Sequence, residues 1–366
     1  MNGRAPVSIA AMDASSPAGS LPTVSVIVPV LNEERHLGAC LGAIAAQTYP
    51  AIAEILVADG GSADRTREIA ASYPRVRVLD NPGRIQAAGL NAALAEAAGD
   101  LVVRVDGHCL LPPDYVERCV ESLARNGAAM VGGAMVPAPG GGWVGRAIAV
   151  AMGSRLGAGP ARFHIGGAPG WVDTVYLGCY PAKLARRIGG YRLDVGVNED
   201  AELALRLASE GGVWFEPAIT ATYRPRDSLP GLARQFYRYG LSRAATVRRH
   251  PRSLSARQLA APALVLGLLS PWRRWVALLY GGTVAGRALV ELPSDPAMAA
   301  GLLLVLPVMH ASWGVGFLVG NSGLARPPGP VSAASTGPVP ARRRSTSDGG
   351  SDSASRAFRH FPVTGS

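Results

Sequence analysis

Four short apolar runs, Val24–Pro29, Glu54–Ala58, Val76–Leu79 and Leu101–Val105, alternate with the stretches Glu33–Ala46, Ala63–Ser72 and Arg84–Ala97. The runs have strand length, whereas Leu37, Leu41 and Ile44 recur at the spacing of one helix face. Parallel neighbours need a crossover, so a β-α-β-α-β-α-β rhythm predicts an α/β fold, a mostly parallel sheet with helices on both faces. Ligands of such sheets collect beyond the carboxyl ends of the strands. The residues that follow each run are therefore the first place to look for chemistry. Further along, Met130–Gly133 and Val213–Glu216 read as short strands and Glu199–Ser209 as an amphipathic helix. The glycine-rich stretches Gly140–Gly142 and Gly157–Gly170 read as flexible loops.

The chain of 366 residues carries a net charge of +10, which raises the question of a nucleic-acid partner. The charge is unevenly placed. Residues 1–230 hold 20 basic and 22 acidic side chains, whereas residues 231–366 hold 16 basic and 4 acidic ones. The part with the α/β rhythm lacks the basic footprint that nucleic-acid binding requires, which excludes that class. Cys40, Cys109, Cys119 and Cys179 form no CxxC pair, so neither a zinc cluster nor a disulfide scaffold is indicated.

The last third changes character. Residues 231–257 form a basic amphipathic juxtamembrane segment, with seven arginines and no acid between Arg234 and Arg257. Three apolar segments follow within 258–325. The segment 258–271 is predicted to be interfacial, and 275–292 and 298–320 to be transmembrane helices. Ala297–Ala325 is free of Asp, Glu, Lys and Arg, long enough to cross the ~30 Å hydrocarbon core of a bilayer. A hairpin of the last two segments puts the loop Glu291–Pro296 outside. The arginines then stay inside, as the positive-inside rule favours. A helical core subdomain is the plain alternative. Residues 1–22 and 326–366, small, polar and rich in Pro, Ser and Gly, read as a disordered N-terminus and tail.

Four strand-end clusters carry candidate chemistry. In Pro29-Val30-Leu31-Asn32-Glu33-Glu34, Asn32 reads as a helix N-cap and the glutamates as partners of the helix dipole. In Asp59-Gly60-Gly61-Ser62-Ala63-Asp64, Ser62 or Asp64 can cap the next helix, which leaves Asp59 for a ligand. In Arg104-Val105-Asp106-Gly107-His108, a carboxylate and an imidazole two residues apart can turn toward one divalent ion, or simply form a turn. Asn198-Glu199-Asp200 opens a helix.

Taken together and in this order, VSVIVPVLNEE (Val24–Glu34), ILVADGGSADRT (Ile55–Thr66), the Asp106 cluster and NEDAELALRL (Asn198–Leu207) resemble the inverting family 2 glycosyltransferases. The resemblance covers about Thr23 to Ser242. Asn81-Pro82-Gly83-Arg84 leading to Asn91, and Gly189-Gly190-Tyr191, agree with it. His310–Phe317 and the Arg104–His108 pattern look most like the membrane-attached succinoglycan-type exopolysaccharide branch. The resemblance implies a GT-A fold, Rossmann-like, over a catalytic domain at 23–230, with C-terminal transmembrane helices.

Carried over by position, the resemblance implies that Pro29, Asn32, Glu33, Asp59, Arg84 and Asp106 bind a nucleotide-sugar donor. Asp59 would hold the base, typically uracil, and Arg84 would lie near the diphosphate. Asp106 matches the first acid of the family's Asp-x-Asp motif, which binds Mg²⁺ or Mn²⁺. His108 stands where the second acid is usual; imidazole suits Mn²⁺ better than Mg²⁺. Asp200 matches the general base, with Glu199 beside it to orient the acceptor or support the base. Gln235 and Arg238 lie in a Gln-x-x-Arg-Tyr sequence similar to the Gln-x-x-Arg-Trp of processive synthases and would touch acceptor or diphosphate. Trp171, Asp173 and Tyr176 are further acceptor candidates.

The implied activity is metal-dependent, inverting transfer of a sugar from a nucleotide-sugar, typically a UDP-sugar, to a polyprenyl diphosphate-linked saccharide. The product belongs to exopolysaccharide or cell-envelope glycan, made at the inner (plasma) membrane by a cytoplasmic catalytic domain. Two alternatives stay open: an inactive membrane scaffold that binds nucleotide-sugar, which His108 in place of an acid permits, and a transferase that forms a glycolipid. A nucleotidyltransferase is disfavoured, because Leu31–Leu37 offers no glycine-rich phosphate loop.

Overall fold

The computed structural model describes residues 20–138 and 140–330; the readings of 1–19 and 331–366 lie outside the described residues. The first half follows the expected alternation. It runs β1 (Val24–Val30), α1 (Leu37–Ala45), β2 (Ile52–Asp59), α2 (Thr66–Ala71), β3 (Val76–Asp80), α3 (Gln86–Glu96) and β4 (Leu101–Arg104). The second half adds α4 (Tyr115–Asn126), β5 (Met130–Pro137), α5 (Gly142–Met152), α6 (Arg162–Ile165), β6 (Gly170–Val172) and β7 (Tyr176–Pro181). It ends with α7 (Ala182–Arg187), α8 (Glu199–Glu210) and β8 (Val213–Tyr223).

The strands form one eight-stranded sheet of order β3-β2-β1-β4-β7-β5-β8-β6. β1, β2, β3 and β4 are parallel to one another, as are β5 and β8, while β7 runs antiparallel to both β4 and β5. The sheet is thus mixed and mostly parallel. β1 reads VSVIVPV and is buried almost throughout, as expected of a strand covered on both faces. Val26, Val28, Leu37 and Leu41 belong to the core on one face; Ile27, Leu56, Leu90 and Leu94 belong to the core on the other.

Two regions read as loops are ordered differently. Gly140–Gly142 runs into α5, an apolar helix that buries Ala147, Ile148 and Ala151, and the stretch 157–170 contains α6. Neither helix has an amphipathic stripe long enough to stand out beside so many glycines. α1 begins only at Leu37, four residues later than expected, because 31–36 forms turns.

The C-terminal part is helical: α9 (Leu229–Arg249), α10 (Ala260–Leu269), α11 (Arg273–Glu291) and α12 (Pro296–Ser322). The expected 230/231 boundary falls inside the first turn of α9, so the basic segment begins within a helix of the catalytic part. Among the described residues, one helix is long and apolar enough to cross a membrane, α12, with a mean hydropathy of 1.9. A third core joins it to the sheet. There Leu302, Val305, Leu306 and Met309 of α12 meet Ile148 of α5, Leu232 and Phe236 of α9, and Met135 of β5.

Candidate active site

The carboxyl ends of β1, β2 and β4 lie side by side and set out the candidate residues in space. Pro29 pairs with Ala58 and Val30 with Asp59. The ladder to β4 ends at Ile27 and Arg104, with one further bond from Val105 N to Ile27 O. Pro29 lies on this β4 side but past the last partner, so its missing N–H leaves no gap in the ladder. Beyond that point the strands diverge and leave the chain ends free for a ligand.

The first two turns are knitted together. Asn32 adopts a left-handed conformation (φ 56°), and its Oδ1 accepts from Ala63 N at 2.9 Å. This corrects its reading as an N-cap: the cap position of α1 is His36, and Asn32 instead ties β1's end to the turn after β2. Ser62 Oγ accepts from Asn32 N and donates to Asp59 Oδ1 at 2.5 Å. Asp59 also receives Gly61 N, Ser62 N and the Arg67 guanidinium, and its side chain is fully buried. As it stands, Asp59 anchors the turn, and its buried carboxylate is already engaged by Ser62, Gly61 and Arg67. Arg84 (φ 56°) lays its guanidinium against Gly61 at the same turn.

At the end of β4, Gly107 permits close approach. A Cβ there would lie 2.8 Å from Val30 Cγ1, so only glycine lets the Asp106–His108 turn press on β1. His108 Nδ1 then meets Glu33 Oε1 at 3.1 Å, which joins a predicted donor residue after β1 to a predicted metal ligand after β4. Burial pulls the His108 pKa down, but Glu33 and the charge of Asp106 outweigh it, and the net shift is upward.

The centre of the site is Arg104, a residue whose role sequence reasoning missed. Its side chain is 5% exposed. Nη2 lies 3.0 Å from Asp106 Oδ1 and 3.4 Å from Glu199 Oε1, and Nη1 lies 3.5 Å from Asp200 Oδ2. One guanidinium therefore bridges the acid at the end of β4 and both acids that open α8. The available signal was a charged residue inside the otherwise apolar run Leu101–Val105, which a core strand does not carry unpaired. Glu199 is fully buried. Burial raises its pKa, Arg104 lowers it and Asp200 raises it again, with a net position of about 8. Two buried atoms here, Arg104 Nη1 and Glu199 Oε2, have no hydrogen-bond partner. Such atoms usually face a ligand or a water.

Asp106 Oδ1 also accepts from Gln86 Nε2 at 3.1 Å, while no hydrogen bond from the described residues reaches Oδ2. Among the described residues no group of three or more His, Cys, Asp and Glu side chains forms a complete metal site. A cation held by Asp106 Oδ2 and His108 Nε2 would need its remaining ligands from a substrate such as a diphosphate, because the described residues offer it no third ligand. Asp200 remains one-third exposed, open to a substrate, at the first turn of α8.

The more distant candidates divide. Gln235 Nε2 donates to the hydroxyls of Tyr223 (2.9 Å) and Tyr239 (2.8 Å), and Tyr223 packs against the His108 ring at 5.7 Å. Gln235 is thus brought to the site through Tyr223. Arg238 is exposed on the same helix, with no ion pair among the described residues. Tyr176 packs on Tyr223 and bonds Cys109 Sγ, so it joins the site's wall. Trp171 and Asp173 do not: Trp171 packs edge-on to Trp214 at the far side of the sheet, and Asp173 faces Arg257 at 4.0 Å. The two stretches Asn81–Asn91 and Gly189–Tyr191 meet, as Asn91 bonds Tyr191 N at 2.7 Å and Tyr191 O at 2.8 Å. All four cysteines are free and buried.

Comparison with known proteins agrees with this fold. The family model described as glycosyl transferase family 2 matches residues 25–157, and that described as glycosyl transferase family group 2 matches 101–309. The succinoglycan biosynthesis protein ExoA of Rhizobium meliloti (strain 1021) is 34% identical over 311 residues, which covers 80% of this chain and 93% of that one. A Methanococcus voltae enzyme, dolichyl N-acetyl-alpha-D-glucosaminyl phosphate 3-beta-D-2,3-diacetamido-2,3-dideoxy-beta-D-glucuronosyltransferase, is 25% identical over 62% of this chain and 74% of its own. Among solved structures, the mannosyltransferase PcManGT from Pyrobaculum calidifontis, in complex with GDP-Man and Mn²⁺, superposes with a TM-score of 0.52. It is 22% identical, and the match covers 81% of this chain and 90% of that one.

Proposed function

Because the chain belongs to glycosyl transferase family 2, we propose that it is an inverting, metal-dependent transferase that moves a sugar from a UDP-sugar to a polyprenyl diphosphate-linked saccharide. The observation that carries this reading is the convergence of Asp106, Glu199 and Asp200 on the buried guanidinium of Arg104. It joins a donor-side acid on β4 to an acceptor-side acid on α8, the two halves a transfer reaction needs.

In the proposed reaction the acceptor hydroxyl gives its proton to Asp200 as its oxygen bonds the anomeric carbon. The bond from that carbon to the diphosphate breaks on the opposite face, the configuration inverts, and the nucleoside diphosphate departs. Asp200 suits the task because it is open to substrate yet held by Arg104. Glu199, whose pKa burial raises, supports the base from beside Arg104. Pro29, Asn32, Glu33, Asp59 and Arg84 line the donor side through the β1 and β2 turns. A bound Mg²⁺ or Mn²⁺ at Asp106 and His108 would supply positive charge to the leaving diphosphate. Gln235 and Arg238 face the acceptor side.

The likeness to ExoA supports a place in exopolysaccharide or cell-envelope glycan synthesis, and the Methanococcus enzyme's name supports a lipid-linked acceptor. The apolar α12 and the arginine-rich α9 support work at the inner membrane, with the catalytic part on the cytoplasmic side. The test is nucleotide release by membranes supplied with donor and lipid extract. Wild-type protein releases UDP in step with sugar incorporation. Asp200→Asn retains donor binding and loses transfer; transfer at the wild-type rate would remove Asp200 as the base.

A further inference from the structure

Both ends of α12 touch the catalytic part of the chain, which is incompatible with a helix whose ends lie on opposite sides of a bilayer. At its start, Asp295 caps the helix through Met298 N (2.9 Å) and pairs with Arg146 of α5 at 2.7 Å. One turn on, Gly301 meets Ala147 and Trp143 of the same helix. Midway, His310 Nε2 lies 2.7 Å from the Leu156 carbonyl. Toward its end, Gly316 meets the Tyr237 carbonyl of α9, Gly320 meets Ala244, and Arg248 donates to the Gly320 carbonyl. A helix of 27 residues is about 40 Å long, enough to cross a hydrocarbon layer of about 30 Å. Yet α5 and α9 accompany it from end to end.

α9 cannot be taken into lipid with it. α9 carries Arg234, Arg238, Arg243, Arg248 and Arg249, and it holds the acid loop in place: Ser242 Oγ accepts from Val197 N at 3.1 Å, and Asn198 bonds Thr246. A spanning α12 would drag charged side chains and part of the active site into hydrocarbon.

The opposite side of α12 is covered by α10 and α11. Ala261 and Val265 pack at Gly314, and Tyr280 bonds His310 at 2.7 Å. These two helices form an outer layer whose far face is apolar and exposed among the described residues. Leu269, Trp272, Trp275, Leu278, Leu279 and Val290 are each 60–81% exposed. Trp275, Leu278 and Leu279 follow the i, i+3, i+4 spacing of one helix face. Exposed Arg273 and Arg274 border this face, and Arg274 lies over the Trp275 ring. Tryptophan and leucine beside arginine suit the boundary between acyl chains and anionic headgroups.

We infer that α10–α12 lie in the plane of the membrane and attach the chain to one leaflet of anionic lipid through the outward face of α10 and α11, with α12 as the spine that joins this layer to the catalytic part. The inference rests on the membrane association proposed above but replaces the expected hairpin across the bilayer. The loop Glu291–Pro296 then lies on the same side as the catalytic part, as the Arg146–Asp295 pair requires.

Because the four native cysteines are buried, single exposed reporters can be read with a membrane-impermeant maleimide on sealed vesicles of both orientations. Ser72→Cys reports the catalytic part and Ser294→Cys the loop, in otherwise wild-type full-length chain. Both are expected to label from the same face; labelling of Ser294→Cys only from the face opposite to Ser72→Cys overturns the inference. In a second arm, Trp275→Glu/Leu279→Glu is expected to weaken binding to phosphatidylcholine vesicles containing phosphatidylglycerol by about tenfold or more. Unchanged binding overturns the assignment of the face. So does a detergent-free dimer that the double variant dissolves, which would give the face to a second copy of the chain. The labelling reads topology whether or not the chain transfers sugar, so its failure is distinct from failure of the proposed reaction.

Discussion

The guanidinium of Arg104 lies 3.4 Å from Glu199 Oε1, with both side chains at 5% exposure or less. Asp106 and Asp200 approach the same guanidinium, so this single cation faces three carboxyl groups. Arg104→Met removes the only charge of opposite sign that, among the described residues, pairs with these acids. Breaking a buried ion pair from one side costs about 3–5 kcal/mol, and a marked fall in Tm is expected. Arg104→Lys retains the charge but not the planar fork, so it restores part of the loss. A Tm of Arg104→Met equal to wild type would show that the acids do not need the cation.

Glu199 gives the fold a distinctive pH response. Its pKa rises from an ordinary 4.5 to about 8 on burial, so the folded chain binds a proton that the unfolded chain releases. Its contribution to stability is complete below about pH 4.5, declines as the pH rises, and is gone above about pH 8. Glu199→Gln, which stays neutral, is expected to flatten this decline between pH 5 and 8 relative to wild type. Denaturant midpoints measured across the range check this; parallel curves for the two proteins would contradict it.

In the proposed reaction, His108 would set the metal preference. His108→Asp restores a second acid and is expected to strengthen nucleotide binding in Mg²⁺ relative to Mn²⁺. His108→Ala is expected to weaken Mn²⁺-dependent binding, because it removes the nitrogen donor of the proposed site. Calorimetry with UDP and each cation separates the outcomes. Asp106→Ala should abolish the metal-dependent part altogether.

Gly196 precedes the acids with φ 67°, and a Cβ there would lie 2.4 Å from Ser242 Oγ and 2.6 Å from Pro327 Cβ. Gly196→Ala must displace the loop that carries Asn198–Asp200 away from α9. A shift of about 1 Å near reacting groups can cost on the order of 100-fold in rate. The expected result is a fall in kcat with donor KM nearly unchanged, because the donor side is built on β1 and β2.

Much of this was legible in the sequence where chemistry is local. The first four strands followed from apolar runs, and the acids after them from their place at strand ends. Arg104 escaped because its partners Glu199 and Asp200 lie nearly one hundred residues away, beyond any periodicity. α5 escaped because its apolar face is matched to α12, which only the folded chain brings near. Asn32 was misread for the same reason: its side chain answers the backbone of Ala63, a neighbour across strands. The membrane segments showed the limit most clearly. Length and lack of charge identified α12, but what it packs against is a tertiary fact.

The sheet order has a consequence for how the chain reaches its active form. Leu101 pairs with Val24, Met130 with Val213, and Val103 with Cys179, so the central strands meet partners that are synthesised far apart. Such nonlocal pairing folds slowly, since loop entropy is lost before contacts repay it. Asp106 meets Arg104 locally, two residues on, whereas Glu199 and Asp200 emerge late and reach it only in the closed fold. A chain that stops before α8 therefore holds the proposed donor-side residues without the two acids that complete the cluster around Arg104.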